Sequence, residues 1–291
     1  MNLKRWTFMV LAVLLPMAAG CQKETAEPPQ GSVRANQAYL DTFGQPPVPD
    51  RGECFARVGY YPLRSSPERL QAVPFFLFNI ESERPLLFER LVNNPLALPA
   101  DGPLLNPFPS GTSMQVATRG ELLELQLKSP NPASATDLAA MAAALTETAG
   151  QYPEIKRVRL WLNGALWPGM PAEGFVPEPK RIVEPGPPRL LLVIGSWEAD
   201  AAGPEEILAD FDRPVTVESF SLSDEAGRNL EGEYFTSAFD MAVVLRPAQP
   251  EAMREGMPLR ASWKVKDKLG RGGSGEGRFM LQRHDHVQQP Q

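Results

Sequence analysis

The stretch from residue 134 to residue 164, SATDLAAMAAALTETAGQYPEIKRVRLWLNG, decides the fold of the first half of the chain. Ser134 or Thr136 can cap a helix, because a side-chain hydroxyl accepts a hydrogen bond from a first-turn N–H. Apolar residues then recur at helical spacing, at Leu138, Met141, Ala142, Leu145 and Ala149. Gly150 and Pro153 end the pattern. The spacing therefore predicts an amphipathic helix that needs an apolar surface to pack on.

A strand pattern follows this helix in Lys156–Leu162. Its apolar residues are Val158, Leu160 and Leu162, and its outward positions are Arg157, Arg159 and Trp161. Asn163-Gly164 is typical of a tight hairpin turn into the next residues, which end at Trp167. A helix laid on a small mixed sheet buries both apolar faces, so the stretch predicts an α+β domain.

Shorter patterns extend this domain upstream to residue 54, giving predicted bounds of 54–168. Strands are expected at Arg57–Tyr61, Ala72–Phe78, Ser113–Thr118 and Glu121–Leu127. A helix is expected from Glu83 to the Asn93-Asn94-Pro95 stop. Thirty-one prolines in 291 residues also favour short strands and turns over a helical bundle.

Downstream of the α+β domain the pattern becomes all-β. Residues 169–188 hold six prolines and are predicted to be a linker. Strands are expected at Leu190–Gly195, Ile207–Phe211, Val215–Ser223, Phe239–Leu245, Leu259–Lys266 and Gly277–Gln282. Short strands at this spacing predict a β-sandwich over 189–283. The glycine-rich run from Gly270 to Gly277 is interpreted as a flexible hairpin, and residues 284–291 as a disordered tail.

The N-terminus predicts export. Lys4 and Arg5 precede an apolar run that is short for a bilayer span, and Met17-Ala18-Ala19-Gly20-Cys21 follows. Small residues before a lone cysteine resemble the lipobox of bacterial lipoproteins. That resemblance implies a signal peptide over 1–20 and a lipid on Cys21, whereas an ordinary secretory signal is the alternative. Residues 21–53 are polar and proline-bearing, and are predicted to be a flexible tether.

Charge and cysteine content narrow the function classes. The formal net charge of −6 argues against a nucleic-acid partner, because phosphate binding needs a basic surface. If Cys21 carries lipid, Cys54 has no disulfide partner. Cys54 is then a reactive thiol, an intermolecular bridge or a buried small hydrophobe, and its strand-like context favours burial.

Residues suited to catalysis are sparse. The two histidines, His284 and His286, lie in the polar C-terminal segment, so no histidine base is expected inside a domain. Two histidines without a cysteine cluster also leave too few zinc ligands. Glu121 and Glu124 are three apart on a strand and are expected to face opposite sides. We therefore predict no enzyme, no cofactor and no metal site.

The first domain resembles the GerMN domain of sporulation and germination lipoproteins, from about Arg57 to Trp167. The stretches that carry the resemblance are Val58–Pro62, Leu86–Leu91, Phe108–Thr112, Ala139–Pro153 and Val158–Gly164. The last hundred residues resemble a bacterial Ig-like domain of the SbsA or CopC kind, through segments such as Ala209–Val215 and Leu259–Val265. The Asp-Gly-His turn of copper-binding CopC proteins is replaced here by Asp267-Lys268-Leu269-Gly270.

These resemblances imply a non-enzymatic lipoprotein at the outer side of the cell membrane or at the outer membrane. Its expected partners are the membrane, through its lipid, and an envelope protein or peptidoglycan. Arg157, Arg159, Trp161 and Trp167 are the candidate binding residues, unless the second domain or the linker covers them. The alternative is a cell-wall glycan hydrolase, or its accessory, that uses carboxylates alone.

Overall fold

The computed structural model describes residues 31–78, 82–93, 98, 102–131 and 133–285. Its first part contains β1 (Ser32–Ala35), α1 (Gln37–Phe43), β2 (Glu53–Leu63), β3 (Ser66–Leu77), α2 (Glu83–Asn93), β4 (Ser113–Arg119), β5 (Leu122–Lys128), α3 (Ala135–Gly150), β6 (Arg157–Leu162), β7 (Ala165–Leu166) and β8 (Ile182–Val183). Its second part contains β9 (Leu190–Trp197), β10 (Glu206–Phe211), β11 (Val215–Ser223), β12 (Gly232–Thr236), β13 (Ala242–Pro247), β14 (Pro258–Asp267), β15 (Gly272–Met280) and β16 (Gln282–Asp285). None of the helices in the described ranges has the length and apolarity that a bilayer crossing needs. The predicted signal peptide and Cys21 lie outside these ranges.

The first domain has two four-stranded sheets and a shared core. The sheet orders are β1-β2-β3-β8 and β4-β5-β6-β7. Buried residues of both sheets, of α2 and of α3 form one apolar cluster, which includes Phe75, Leu87, Leu125, Met141 and Leu160. The predicted α+β architecture is therefore confirmed.

Local rules explain the stretch that starts at Ser134. The Ser134 hydroxyl accepts a hydrogen bond from the Asp137 N–H at 3.1 Å, and the Asp137 carboxylate accepts one from the Ser134 N–H at 3.2 Å. This reciprocal capping box starts α3. At the hairpin, Asn163 and Gly164 have φ of 51° and 82°, as a two-residue turn with left-handed central residues requires.

Two polar side chains near the C-terminal end of α3 complete the first sheet. The strand β1 pairs with β2 only as far as Ala56, which leaves the following backbone groups of β2 without a strand on that side. The Gln151 amide oxygen accepts from the Val58 N–H at 3.1 Å, and its nitrogen donates to the Val58 carbonyl at 2.7 Å. The Thr148 hydroxyl accepts from the Tyr60 N–H at 3.1 Å. These bonds satisfy buried backbone groups and fix α3 against the sheet.

The prediction of a flexible tether over 21–53 is wrong for the described residues from 31 onward. Ser32–Ala35 pair in parallel with Glu53–Ala56, and Tyr39 and Phe43 of α1 are buried on the face of the first sheet opposite α2. A two-turn helix with two aromatic anchors is too short to give a clear periodicity in the sequence. Tertiary contacts, rather than local pattern, order this segment.

The predicted linker over 169–188 is also partly folded. Phe175 and Val158 exchange two backbone hydrogen bonds of 2.8 Å. Ile182 and Val183 form β8 and pair with β3. Proline removes a backbone donor but leaves the neighbouring residues able to pair, so a proline-rich composition alone is a weak sign of a free linker.

The second domain is a β-sandwich, as predicted. A five-stranded sheet, β12-β13-β10-β9-β16, packs on a three-stranded sheet, β11-β14-β15. Alternate residues of both sheets meet in one core, including Val193, Phe211, Leu245, Leu259 and Val265. The all-β prediction is confirmed, although β12 and β16 carry no strand prediction.

The predicted hairpin at the glycine-rich run is present, and most of the run belongs to its second strand, β15. A Cβ at Gly275 would lie 2.6 Å from the Trp263 ring of the paired strand. Glycine there makes room for the indole. The prediction of a disordered tail is wrong at its start, which lies inside β16, where His284 and Asp285 pair with Ser196 and Trp197. His286 lies outside the described residues.

A buried ionic network stands where the two domains meet. Arg213, which is 1% exposed, binds both carboxylate oxygens of Asp212 at 3.0 and 2.9 Å and Asp267 at 3.3 Å. Asp267 also binds Arg271 at 2.5 Å, and Arg271 donates to the Thr42 carbonyl at the end of α1. The network thus ties turns of the sandwich to the first domain.

The aromatic ring of Phe239 adds an apolar contact to this junction. Phe239 stacks on Phe76 of β3, with ring centroids 4.2 Å apart and 18° between the planes. It also lies against Phe78, at 5.6 Å. Phe239 precedes β13, so the second domain presents a ring directly to the first sheet.

Candidate functional site

The second sheet of the first domain has an exposed side that we call the outer face. Leu123, Leu125 and Leu127 of β5 point into the core, so the alternating positions of the sheet point outward. The outer face includes Gln115, Ala117, Arg119, Leu122, Glu124, Gln126, Arg157, Arg159, Trp161 and Leu166. It brings together three of the four predicted binding residues.

Arginines dominate the charge of the outer face. Glu124 and Arg159 are register partners on β5 and β6, and their side chains approach to 3.4 Å. Arg119 contacts the other oxygen of the same carboxylate at 3.1 Å. Arg157 is exposed and forms no ion pair with any described residue. Three guanidinium groups against one carboxylate leave this face positive.

An apolar patch lies beside the arginines. Trp161 is half-buried, and its cross-strand partner Leu166 is 50% exposed. Cross-strand partners share one face of a sheet, so these side chains are neighbours. Arginine and tryptophan beside exposed aliphatic surface are typical of binding surfaces.

The prediction that Trp167 points outward is wrong. Trp167 is 3% exposed and belongs to the core of the first domain. The two-residue turn at Asn163-Gly164 pairs Trp161 with Leu166, which places Trp167 on the opposite face. Arg119 and Glu124 of the outer face were not predicted as binding residues, and neither was Leu166. The hairpin register, readable from the turn, could have found Leu166.

Cys54 has the environment of a buried hydrophobe. The thiol is free and buried in β2. Burial raises the pKa of Cys54 to about 11, so the thiol stays protonated at neutral pH. The expected burial is confirmed. Within the described ranges, no group of three or more histidine, cysteine or acidic side chains could hold a metal ion.

Two carboxylates lie near each other beside α3. Oε1 of Glu147 accepts a hydrogen bond from the Glu178 N–H at 2.6 Å. Burial raises the pKa of Glu147, whereas hydrogen bonds from Arg181 and Lys180 lower the pKa of Glu178. Opposite shifts of this kind are also found in acid–base pairs of enzymes. Here the Glu178 carboxylate is held by Arg181 at 3.0 Å and by Lys180 at 3.3 Å.

The first domain matches a known protein family. Residues 60–166 match the family model described as Germane: Sporulation and spore germination. The matched segment runs from Tyr60 in β2 to Leu166 in β7 and contains every residue of the outer face. The GerMN resemblance predicted for this segment is confirmed. No curated protein matches the chain.

Solved structures include similar proteins for separate parts of the chain. The first GerMN domain of the sporulation protein GerM from Bacillus subtilis is 22% identical, covers 42% of this chain and 93% of that chain, and has a TM-score of 0.33. CopC from Methylosinus trichosporium OB3b is 15% identical, covers 33% of this chain and 97% of that chain, and has a TM-score of 0.22. The surface layer protein SbsC, domains 1–6, is 14% identical, covers 33% of this chain and 14% of that chain, and has a TM-score of 0.26.

Proposed function

We propose that this protein is a non-enzymatic, lipid-anchored protein of the cell envelope whose first domain binds a protein or peptidoglycan partner. The observation that carries the proposal is the match of residues 60–166 to a family described by sporulation and spore germination. The lipobox-like sequence before Cys21 supports the anchor. The anchor would hold the folded domains on the extracytoplasmic side of the cell membrane or of the outer membrane.

The outer face is the surface that we assign to partner binding. Its arginines attract an acidic partner, and its Trp161–Leu166 patch supplies apolar area that a partner can cover. Both features belong to strands fixed by the core, so the surface is formed before the partner arrives. A preformed surface loses little conformational entropy on binding.

Charge reversal on the outer face tests this assignment. The Arg119→Glu/Arg157→Glu variant changes the charge by −4 at two exposed positions. The matched control is Arg254→Glu/Arg260→Glu, which makes the same charge change at exposed positions of the second domain. Binding to peptidoglycan is measured by co-sedimentation with the purified polymer. Binding to a protein partner is measured by the yield of crosslinked products in native envelopes.

The proposal expects the outer-face variant to lose binding at least tenfold and the control to retain it. Equal binding by both variants and the wild-type protein would exclude the outer face. Folding of each variant is checked by its urea unfolding curve, so that loss of structure is not mistaken for loss of binding.

The second candidate function is a glycan hydrolase or its accessory, and the Glu147–Glu178 pair is the observation that favours it. A retaining or inverting mechanism needs an acid and a base or nucleophile with different pKa values. Incubation of the purified protein with peptidoglycan, followed by analysis of released fragments, separates the candidates. Fragments that disappear in the Glu147→Gln variant would replace the binding proposal with a hydrolase.

A further inference from the structure

A cleft of about 360 Å³ lies between α3 and the segment from Trp167 to Arg181. We call it the α3 cleft. Its walls are mostly apolar and include Leu138, Ala139, Ala142, Phe175 and Val176. The lining also contains the polar residues Thr146, Glu147, Glu178 and Arg181. A small number of polar groups in an apolar cleft is the usual composition of a ligand site.

Thr146 is the first polar residue of the lining, and its hydroxyl Oγ1 has no hydrogen-bond partner in the described structure. The residue is 4% exposed. Threonine in a helix commonly donates to the carbonyl four residues earlier, but this hydroxyl does not. Buried polar groups are nearly always hydrogen-bonded, so an unpartnered hydroxyl that lines a cleft points to a ligand atom.

Glu147 is the second polar group of the lining, and its Oε1 accepts a hydrogen bond from the Glu178 N–H at 2.6 Å. The residue is buried, and no ion pair joins its carboxylate to any described residue. Arg181, the one cation of the lining, is paired with Glu178 at 3.0 Å. The lining therefore carries two carboxylates and one guanidinium group. A buried carboxylate without an ion pair is unfavourable, and a cation in the cleft would relieve it.

We propose that the α3 cleft binds a lysine side chain presented by a peptide or protein partner. An ammonium group has three donors and no acceptor, which suits the Thr146 hydroxyl oxygen and the Glu147 carboxylate. The aliphatic stem of the lysine would lie against the alanines and Leu138 of α3. This site is separate from the outer face, and its assignment does not depend on the function proposed above.

Two other ligand classes fit the cleft less well. A saccharide would need an exposed aromatic ring to stack on, but of the two aromatic residues of the lining Trp167 is only 3% exposed and Phe175 is partly buried against the core. A carboxylate ligand would meet an excess of negative charge, because Arg181 is already neutralised by Glu178. An aliphatic chain that ends in an ammonium group would pack on the apolar walls and offset the excess negative charge of the lining.

The test is a titration of the full-length protein, labelled at alanine and threonine methyl groups, followed by NMR. The probe is Nα-acetyl-lysine methylamide, and the matched probe is Nα-acetyl-norleucine methylamide, which keeps the stem but lacks the ammonium group. The variants are Thr146→Val, Glu147→Gln and, as a control far from the cleft, Thr236→Val in β12. N-acetylglucosamine serves as the saccharide arm.

The lysine probe is expected to shift the methyl signals of Ala139, Ala142 and Thr146, and to bind at least tenfold more tightly than the norleucine probe. Thr146→Val and Glu147→Gln should each weaken lysine binding at least fivefold, and Thr236→Val should not. Equal binding of both probes, shifts confined to other surfaces, or saturation by N-acetylglucosamine alone would overturn the proposal. If Glu147→Gln does not fold, Thr146→Val decides, because valine has the shape of threonine.

Discussion

Replacement of Arg213 by methionine should destabilise the protein far more than loss of an exposed arginine. Arg213 makes two bonds to Asp212, one to Asp267 and one of 2.9 Å to the Gly186 carbonyl. Without it, Asp267 keeps Arg271, whereas among the described residues Asp212 keeps only a 3.6 Å contact with Arg189 and one backbone N–H. Asp212 thus becomes a buried carboxylate that has lost its close ion pair.

Stranding one buried partner of an ion pair costs about 3–5 kcal/mol, and the residual Arg189 contact favours the lower value. We therefore expect Arg213→Met to lower the free energy of unfolding by about 3 kcal/mol, measured by urea unfolding with an unchanged slope. The matched control is Arg228→Met, since Arg228 pairs with Asp224 while its side chain is 83% exposed. That change should cost less than about 1 kcal/mol.

The double variant Asp212→Asn/Arg213→Met provides a second comparison. It removes the stranded charge together with its partner, so it should be more stable than Arg213→Met alone. Equal losses in Arg213→Met and Arg228→Met, or a double variant that is less stable than Arg213→Met, would refute the view that a buried charge network holds the junction.

Three other predictions follow from buried polar groups. Thr146→Val should raise the free energy of unfolding by about 1 kcal/mol, because it removes a buried hydroxyl that has no partner among the described residues; a loss of stability in chemical denaturation would show that the hydroxyl is bonded. Burial raises the pKa of Asp210 from its ordinary 3.8 to about 6, so stability from this group is present below pH 4 and is lost as the pH rises through 6. Asp210→Asn should therefore exceed the wild-type protein in stability at pH 7, by at most about 3 kcal/mol, and the gap should close at pH 4 in urea titrations. The Cys54 thiol should resist a water-soluble thiol reagent in the native protein and react on unfolding; fast native labelling, followed by absorbance, would contradict its burial.

Local rules were sufficient wherever a structural feature lies within a few residues of sequence. The Ser134 cap, the α3 stripe and the Asn163-Gly164 turn are each specified by neighbouring side chains. The buried leucines of β5, at 123, 125 and 127, alternate with other residues, which is also a local signal of its core face. These features predicted the α+β class and three residues of the outer face, Arg157, Arg159 and Trp161.

Features that depend on distant partners were missed. The strand β1 pairs with residues about twenty positions later, and α1 is ordered by two aromatic side chains that pack on the first sheet. Arg213 and Asp267 are 54 residues apart, and nothing in their local sequence indicates an ion pair. The face of Trp167 could have been predicted from the hairpin register, whereas the unpartnered Thr146 hydroxyl needed the packed structure.

The most direct measurement is the intact mass of the mature protein isolated from the envelope of its own host. A lipid-anchored protein should begin at Cys21, carry the added mass of a diacylglycerol on that residue, and partition with the membrane fraction. A soluble protein with an unmodified Cys21, or with a new N-terminus elsewhere, would contradict the proposed lipid anchor.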